Sequence, residues 1–218
     1  INEKIFSQKI IISFPFLENL SVFDSESHLC RYFSKFTCKL SPYSAFVVYG
    51  KIKKKVLANF TAKHYLIIGD MDSLKGTSSH LHLSILEQEN GEFATFTVST
   101  HTPIKLWANL DEEEVKKLKV ELERKIIKII IKRFEIKESD FVEVFSATPH
   151  TFKRYVHRVS LGGFSASVDT PFWSIPNNFT PFNGMYLACD HAFAGQGFMG
   201  IALGCLNLYY SLNRKAKD

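Results

Sequence analysis

Residues 110–134, LDEEEVKKLKVELERKIIKIIIKRF, limit what this 218-residue chain can fold into more than any other stretch. Acids crowd the start, where a side-chain cap from Asp111 and the positive end of a helix macrodipole favour them. Val115, Leu118, Leu122, Ile126, Ile129 and Ile130 then recur at steps of three and four, which makes one apolar stripe. A helix with one apolar stripe needs a surface to lie on, and the flanking sequence supplies a sheet. SAFVVYGKIK (44–53), KHYLIIGD (63–70), HLHLSILE (80–87) and EFATFTVSTHT (92–102) read as strands, as does DFVEVFSAT (140–148). Asn90-Gly91 between two of these runs is a hairpin signal. The expectation is an antiparallel or mixed sheet covered by the 110–134 helix.

The remaining segments read less regularly. KIFSQKIIISF (4–14) predicts a buried strand that ends at Pro15. A short helix is expected near SESHLCRYFSKF, capped by Ser25 or Ser27. After Thr148-Pro149 the composition shifts. Pro149, Pro171, Pro176, Pro181, Gly162 and Gly163 and many aromatics fill 149–184, which predicts a long irregular stretch. MYLACD (185–190) reads as the last strand and 197–212 as the last helix.

Composition sets the class. Hydrophobic residues make up 45% and charged residues 22%, as in a globular chain. The net charge of +5, from 27 basic and 22 acidic residues, is too mild for a dedicated nucleic-acid binder. It suits a soluble protein or one that visits an anionic membrane surface. Cys30, Cys38, Cys189 and Cys205 form no CxxC pair and no disulfide-like framework, so reduced thiols in an intracellular protein are expected. The N-terminal residues show no signal-peptide pattern, and the apolar runs fall short of a membrane span. The expected location is cytoplasmic or peripheral to a membrane.

The chemistry-bearing stretch is GMYLACDHAFAGQGFMGIALGC, 184–205. Strand, acid, glycine loop and helix succeed one another, a layout that binds phosphates and cofactors. Glycines let the backbone approach a ligand, and a helix start at Gly197 offers free N–H groups to an electron-rich partner. Asp190 ends the strand, where it can accept hydrogen bonds from ribose or ribityl hydroxyls. GQGFMG has GxGxxG spacing, but no acid follows at the distance of about 20 residues that the dinucleotide fingerprint requires.

Through Gly184, Leu187, Asp190, Gly195, Gln196, Gly197 and Gly200, this stretch resembles the C-terminal FAD-binding signature of the carotenoid isomerase and phytoene desaturase family of flavoproteins. A second match lies upstream. ATPHTFKRYV resembles the family's Thr-Pro-x-Thr-x-x-Arg motif through Thr148, Pro149, Thr151 and Arg154, with Tyr155 next, and Gly162-Gly163 and PFNGMYL also fit. PYSAFVVYGKIK and EKIFSQKIIIS resemble, more weakly, the strand that opens the family's substrate domain and the strand before it. Cys189 and Ala194 stand where the family usually has Gly and Pro, and Phe14-Pro15 replaces its Asn-Ala. Family members are much longer, and their N-terminal half carries the dinucleotide fingerprint. This chain resembles the C-terminal half alone, and fragment, split subunit and remnant stay open, with Ile1 in place of a starting Met leaning toward a truncated reading.

The resemblance implies an α/β fold in three parts. Residues 1–15 give a strand to an FAD-binding domain, 16–170 form a substrate lobe with a mixed sheet and a covering helix, and 171–218 return to the FAD-binding domain. That domain is Rossmann-like, with its N-terminal part absent. The resemblance implies FAD as cofactor, held by Asp190, Gly195, Gln196, Gly197 and Phe198. It implies a hydrophobic polyene substrate near Arg154, Tyr155, Phe172 and Trp173, and an oxidoreductase or isomerase of carotenoids. The alternative is a non-enzymatic remnant or binding module that has lost the dinucleotide-binding half. A separate dinucleotide-binding polypeptide is an expected partner, and nucleic acid is not. No catalytic acid or base stands out.

Other residues carry weaker signals. His191 reads as a solvent-facing loop residue more readily than as a catalytic one. His80-x-His82 points two rings to one strand face, but the sequence names no third ligand, so no metal is expected. Phe164, Phe172, Trp173, Phe179 and Phe182 suit the lining of an apolar tunnel, although ordinary core is the commoner fate of phenylalanine. The basic run Lys116, Lys117, Lys119, Arg124, Lys125 and Lys128 reads as a solvated helix face, with a membrane surface as the other option.

Overall fold

The computed structural model describes residues 6–68, 74, 77–78, 80–87, 91–164, 168, 170–193, 195 and 197–214. The strands in chain order are β1 (Ile10–Ile12), β2 (Tyr43–Lys53), β3 (His64–Ile68), β4 (His80–Glu87), β5 (Phe93–Pro103), β6 (Phe141–Ala147) and β7 (Met185–Leu187). The helices are α1 (His28–Thr37), α2 (Lys105–Ala108), α3 (Glu112–Phe134), α4 (Pro149–Val156) and α5 (Gly197–Arg214). They fall into two compact units, Pro42–Val159 and the pair of segments Ile1–Ser41 and Ser160–Asp218.

The Pro42–Val159 unit is a five-stranded sheet in the order β3-β4-β5-β2-β6. Every pairing in it is antiparallel, so of the antiparallel or mixed sheet expected for the lobe the described strands form the antiparallel one. One face is apolar by alternation: Phe46, Val48 and Ile52 on β2, Leu81, Leu83 and Ile85 on β4, and Ala94, Phe96 and Val98 on β5. Leu118, Leu122, Ile126, Ile130 and Phe134 of α3 belong to the same core. The spacing of four that predicted one stripe is the spacing that is buried, with Val115 and Ile129 at its margins.

The ends of α3 are set locally. The Asp111 side chain accepts from the Glu114 N–H at 2.8 Å, and the Glu114 carboxylate accepts from the Asp111 N–H at 3.0 Å, a capping box. Glu135 closes the helix in the left-handed conformation at φ 52°. Trp107 of α2 is buried against Phe46, and its indole N–H donates to Thr102 Oγ1 at 2.8 Å, which satisfies the one polar atom of a core tryptophan. The basic run lies outward as expected. Lys116, Lys117, Arg124 and Lys128 are exposed, and Lys125 pairs with Glu121 at 2.8 Å one turn earlier.

The other unit has a two-stranded parallel sheet, Ile10 to Ile12 of β1 against Met185 to Leu187 of β7. Its core is aromatic. Phe16 meets Phe33 edge-on at 4.7 Å between ring centroids, and Phe23 stacks on Phe33 at 5.8 Å. Ile12, Leu17, Phe164, Leu187 and Cys189 complete the cluster. Ser27 caps α1, its hydroxyl accepting from the Cys30 N–H at 3.1 Å, one of the two caps expected.

Two expectations change here. β1 spans three residues rather than 4–14, and Ile10 and Ile11 are half exposed rather than buried. A strand with one parallel neighbour buries little more than one side of itself. The compact units also divide at Ser41 and Ser160, so 16–41 and 160–170 cluster with β1 and β7 and not with the antiparallel sheet. The packing of Phe16, Leu17, Phe33 and Phe164 around Ile12 and Leu187 accounts for that boundary.

All four cysteines are free thiols. Among the described residues no helix is long and apolar enough to cross a membrane.

Candidate functional site

β7 carries the chain to Asp190. The strand is braced on one side by β1, with the Ala188 N–H donating to Ile12 O at 2.8 Å. On the other side Asn178 takes both roles: the Leu187 N–H donates to its carbonyl at 2.9 Å, and its side-chain amide donates to Leu187 O at 3.0 Å. Thr180 Oγ1 donates to Met185 O at 2.8 Å. A three-residue strand is thereby held by side chains from the irregular segment before it.

Asp190 is buried at the carboxyl end of this strand. Its backbone lies so close to Gly163 that a Cβ there would collide with the Asp190 carbonyl oxygen, and Gly163 has φ +69°. Gly163 O in turn accepts from the Ser41 N–H at 2.9 Å. Gly163 thus has a physical task, to let two chain segments meet beside the acid.

Past Asp190 come His191 and Ala192, both fully buried, and Phe193, whose N–H donates to Pro176 O at 2.8 Å. Gly195 is buried at φ +92°. Gly197 starts α5 at φ +70°, with open space where a side chain would stand. Phe198 and Met199 follow at 83% and 77% exposed. Gln196 lies outside the described residues. Asp190 thus stands three residues past the end of β7, and Gly197 and Phe198 open α5. Such a helix start offers unsatisfied N–H donors and partial positive charge.

The other predicted residues distribute differently. Arg154 and Tyr155 lie on α4, both exposed, with the guanidinium 5.5 Å from the tyrosine ring centroid. Thr148 is the N-cap of this helix. It forms a capping box with Thr151, and Pro149 sits in the first turn. The Thr-Pro-x-Thr motif is therefore a helix start, and the irregular stretch begins eight residues later than expected. S/T-x-x-S/T with an intervening proline was the signal for it. Trp173 is 74% exposed, and the Phe172 side chain lies outside the described residues. Arg154 and Tyr155 belong to one compact unit and Phe172 and Trp173 to the other.

Two corrections concern buried rings. His191 is not a solvent-facing loop residue. Its Nδ1 accepts from the Leu17 N–H at 3.3 Å, and its ring meets Phe16 edge-on at 5.7 Å. That bond fixes the proton on Nε2 and ties the β7 turn to the segment after β1. Phe164 and Phe182, expected as tunnel lining, pack into the aromatic core, and Phe179 packs edge-on against Tyr186. Cys189 likewise points into that core.

No known protein-family model matches the chain, and no curated protein matches it significantly. Among solved structures it is similar to cyclohexylamine oxidase from Brevibacterium oxydans IH-35A, with a TM-score of 0.56 and 11% sequence identity. The match covers 95% of this chain and 45% of that protein. The likeness is one of fold: this α/β chain has part of the fold of an oxidase and spans less than half of its length. It does not single out a carotenoid isomerase or desaturase.

Proposed function

We propose that this chain is the C-terminal part of an FAD-dependent oxidoreductase that acts on an apolar polyene of the carotenoid class, by isomerisation or desaturation. One observation carries the reading: a buried acid at the end of parallel strand β7, then glycines at positive φ, then the open start of α5. These residues fit one end of a flavin nucleotide. Asp190 would accept hydroxyl hydrogen bonds, and the backbone N–H groups of Gly197 and Phe198 would be offered at the start of α5, with no side chain in the way at Gly197. FAD, when bound, supplies the electron chemistry, and the protein orients it and excludes water.

The substrate class is supported by the Thr148-Pro149-x-Thr151-x-x-Arg154 resemblance, with Arg154 and Tyr155 as the residues of that motif that would meet an apolar ligand. The fold likeness to an oxidase supports the reaction class. A grip on the diphosphate would come from a dinucleotide-binding half outside these residues, whether in the same polypeptide or a separate one. Charge-assisted hydrogen bonds contribute about 1.5–3 kcal/mol each, so this chain alone binds FAD weakly.

The test is a flavin-fluorescence titration of the full chain, alone and with the polypeptide encoded directly upstream. Saturable binding only with the partner, lost in Gly197→Val and weakened in Asp190→Asn, is the expected result. Absence of binding in both conditions sinks the cofactor reading and favours a binding module without catalysis. Binding indifferent to both substitutions sinks the site.

A further inference from the structure

The antiparallel sheet has a second face, opposite the one that carries the apolar core. Because Leu81, Leu83 and Ile85 point into that core, His80 and His82 point away from it. On β5 the core residues are Ala94, Phe96 and Val98, so His101 lies on the same outer face as the other two. The register sets His82 opposite Ser99, which brings His80 beside His101. Sequence spacing shows the His-x-His pair, but the third histidine arrives only through the pairing of β4 with β5.

The rings cluster. The centroid of His80 is 4.9 Å from that of His82 and 5.7 Å from that of His101, both edge-on at 87° and 77°. Two imidazoles that share a metal with Zn–N bonds of about 2.0–2.1 Å and a tetrahedral angle have centroids about 5 Å apart. Two of the three pairs, His80 with His82 and His80 with His101, lie near that spacing. Ser78 Oγ lies 2.7 Å from His80 Nδ1 and 3.4 Å from its Nε2. A hydroxyl on the Nδ1 side is the kind of outer partner that orients a ligating histidine, and a small turn of the ring away from the longer contact would present Nε2 to an ion.

His82 and His101 are exposed, and their rings turn without disturbing the core. Turning is needed, since among the described residues no three ligating groups already converge on one point.

We propose that His80, His82 and His101 bind one divalent transition-metal ion of borderline softness, Zn²⁺ or its near neighbours, with a fourth position open to solvent. The site would clip β4 to β5 on the outer sheet face. It is independent of the flavin reading above.

Calorimetric titration of the metal-free full chain with Zn²⁺ tests it, with Co²⁺ absorption to report tetrahedral geometry. One saturable site is expected. His82→Ala and His101→Gln should each weaken it more than tenfold, and Ser78→Ala about tenfold, the low end for loss of an outer partner. His64→Ala is the control. His64 is an exposed histidine on β3, hydrogen-bonded to Ser84 at 3.0 Å, and its loss should leave binding intact. No saturable site overturns the proposal. So does equal weakening by His64→Ala, which would mean scattered binding to surface histidines.

Discussion

The two helices α3 and α5 make an instructive pair. α3 is mostly charged outside its stripe, yet it buries Leu118, Leu122, Ile126, Ile130 and Phe134 against a five-stranded sheet. α5 is the more apolar helix, yet among its described side chains it buries only Gly204 and Leu208. Phe198, Met199, Leu203, Leu206, Tyr209 and Tyr210 all stay exposed. Apolar content and burial have come apart. The antiparallel unit exposes apolar side chains too, Leu66, Ile68, Leu86 and Phe145 among them, but α5 gathers six on one helix. Contiguous exposed apolar surface of this kind is a feature by which interaction surfaces are recognised.

The sharpest way to break the comparison is to damage the α3 side. Leu122→Ala removes a fully buried side chain from the middle of the stripe and should destabilise the chain by about 2–5 kcal/mol. Urea unfolding reads it. A loss below about 1 kcal/mol would mean that the sheet and α3 do not form one packed core.

Next in size comes a requirement of the other unit. Gly163→Ala adds a Cβ at φ +69° against the Asp190 carbonyl oxygen, and should cost about 1–3 kcal/mol, since both strain and collision act. Gly162→Ala is the comparison. Its φ is also positive, at +92°, but nothing stands within 4 Å of the added atom, so it should cost less. Equal losses would show that backbone conformation alone, and not the close approach to Asp190, explains the glycine pair.

What could be read from the sequence follows the same division. In the antiparallel unit, alternation and the step of four name the buried residues almost one for one, because each element there has a partner on the face that its pattern predicts. Asp111 and Ser27 were legible as caps for a local reason, since a cap acts within four residues. Around β1 and β7 the pattern said less. Ile10 and Ile11 look like core and are half exposed, because burial depends on strands that these residues cannot supply. His191 looked like a loop residue, and only the return of Leu17 to its ring reveals the buried role. The order strand, acid, glycine loop and helix around Asp190 was legible because these elements follow one another in the chain. The His101 contribution was not, because it rests on strand register.

A smaller effect separates a local signal from a distant one. Thr148→Ala removes the capping box of α4 and should cost about 1 kcal/mol, while Thr148→Ser should restore most of it. Differential unfolding of the two variants reads the difference. If Thr148→Ser is as damaging as alanine, the threonine serves through its methyl group in the buried site it occupies, and the cap is not its main role.

The smallest expected change is on α5, and it bears most directly on the comparison. Leu203→Gln and Tyr210→Lys place good helix formers at exposed positions. Stability should move by no more than about 0.5 kcal/mol, as for surface substitutions elsewhere. Self-association should fall, because each change removes apolar surface from a face open to solvent. Sedimentation beside urea unfolding separates the two quantities. A loss of about 2 kcal/mol or more would mean that α5 is already packed in the isolated chain, and the contrast with α3 would fail. Unchanged stability with reduced association, together with weaker recruitment by the upstream polypeptide, would make the outer face of α5 the surface by which this unit is completed.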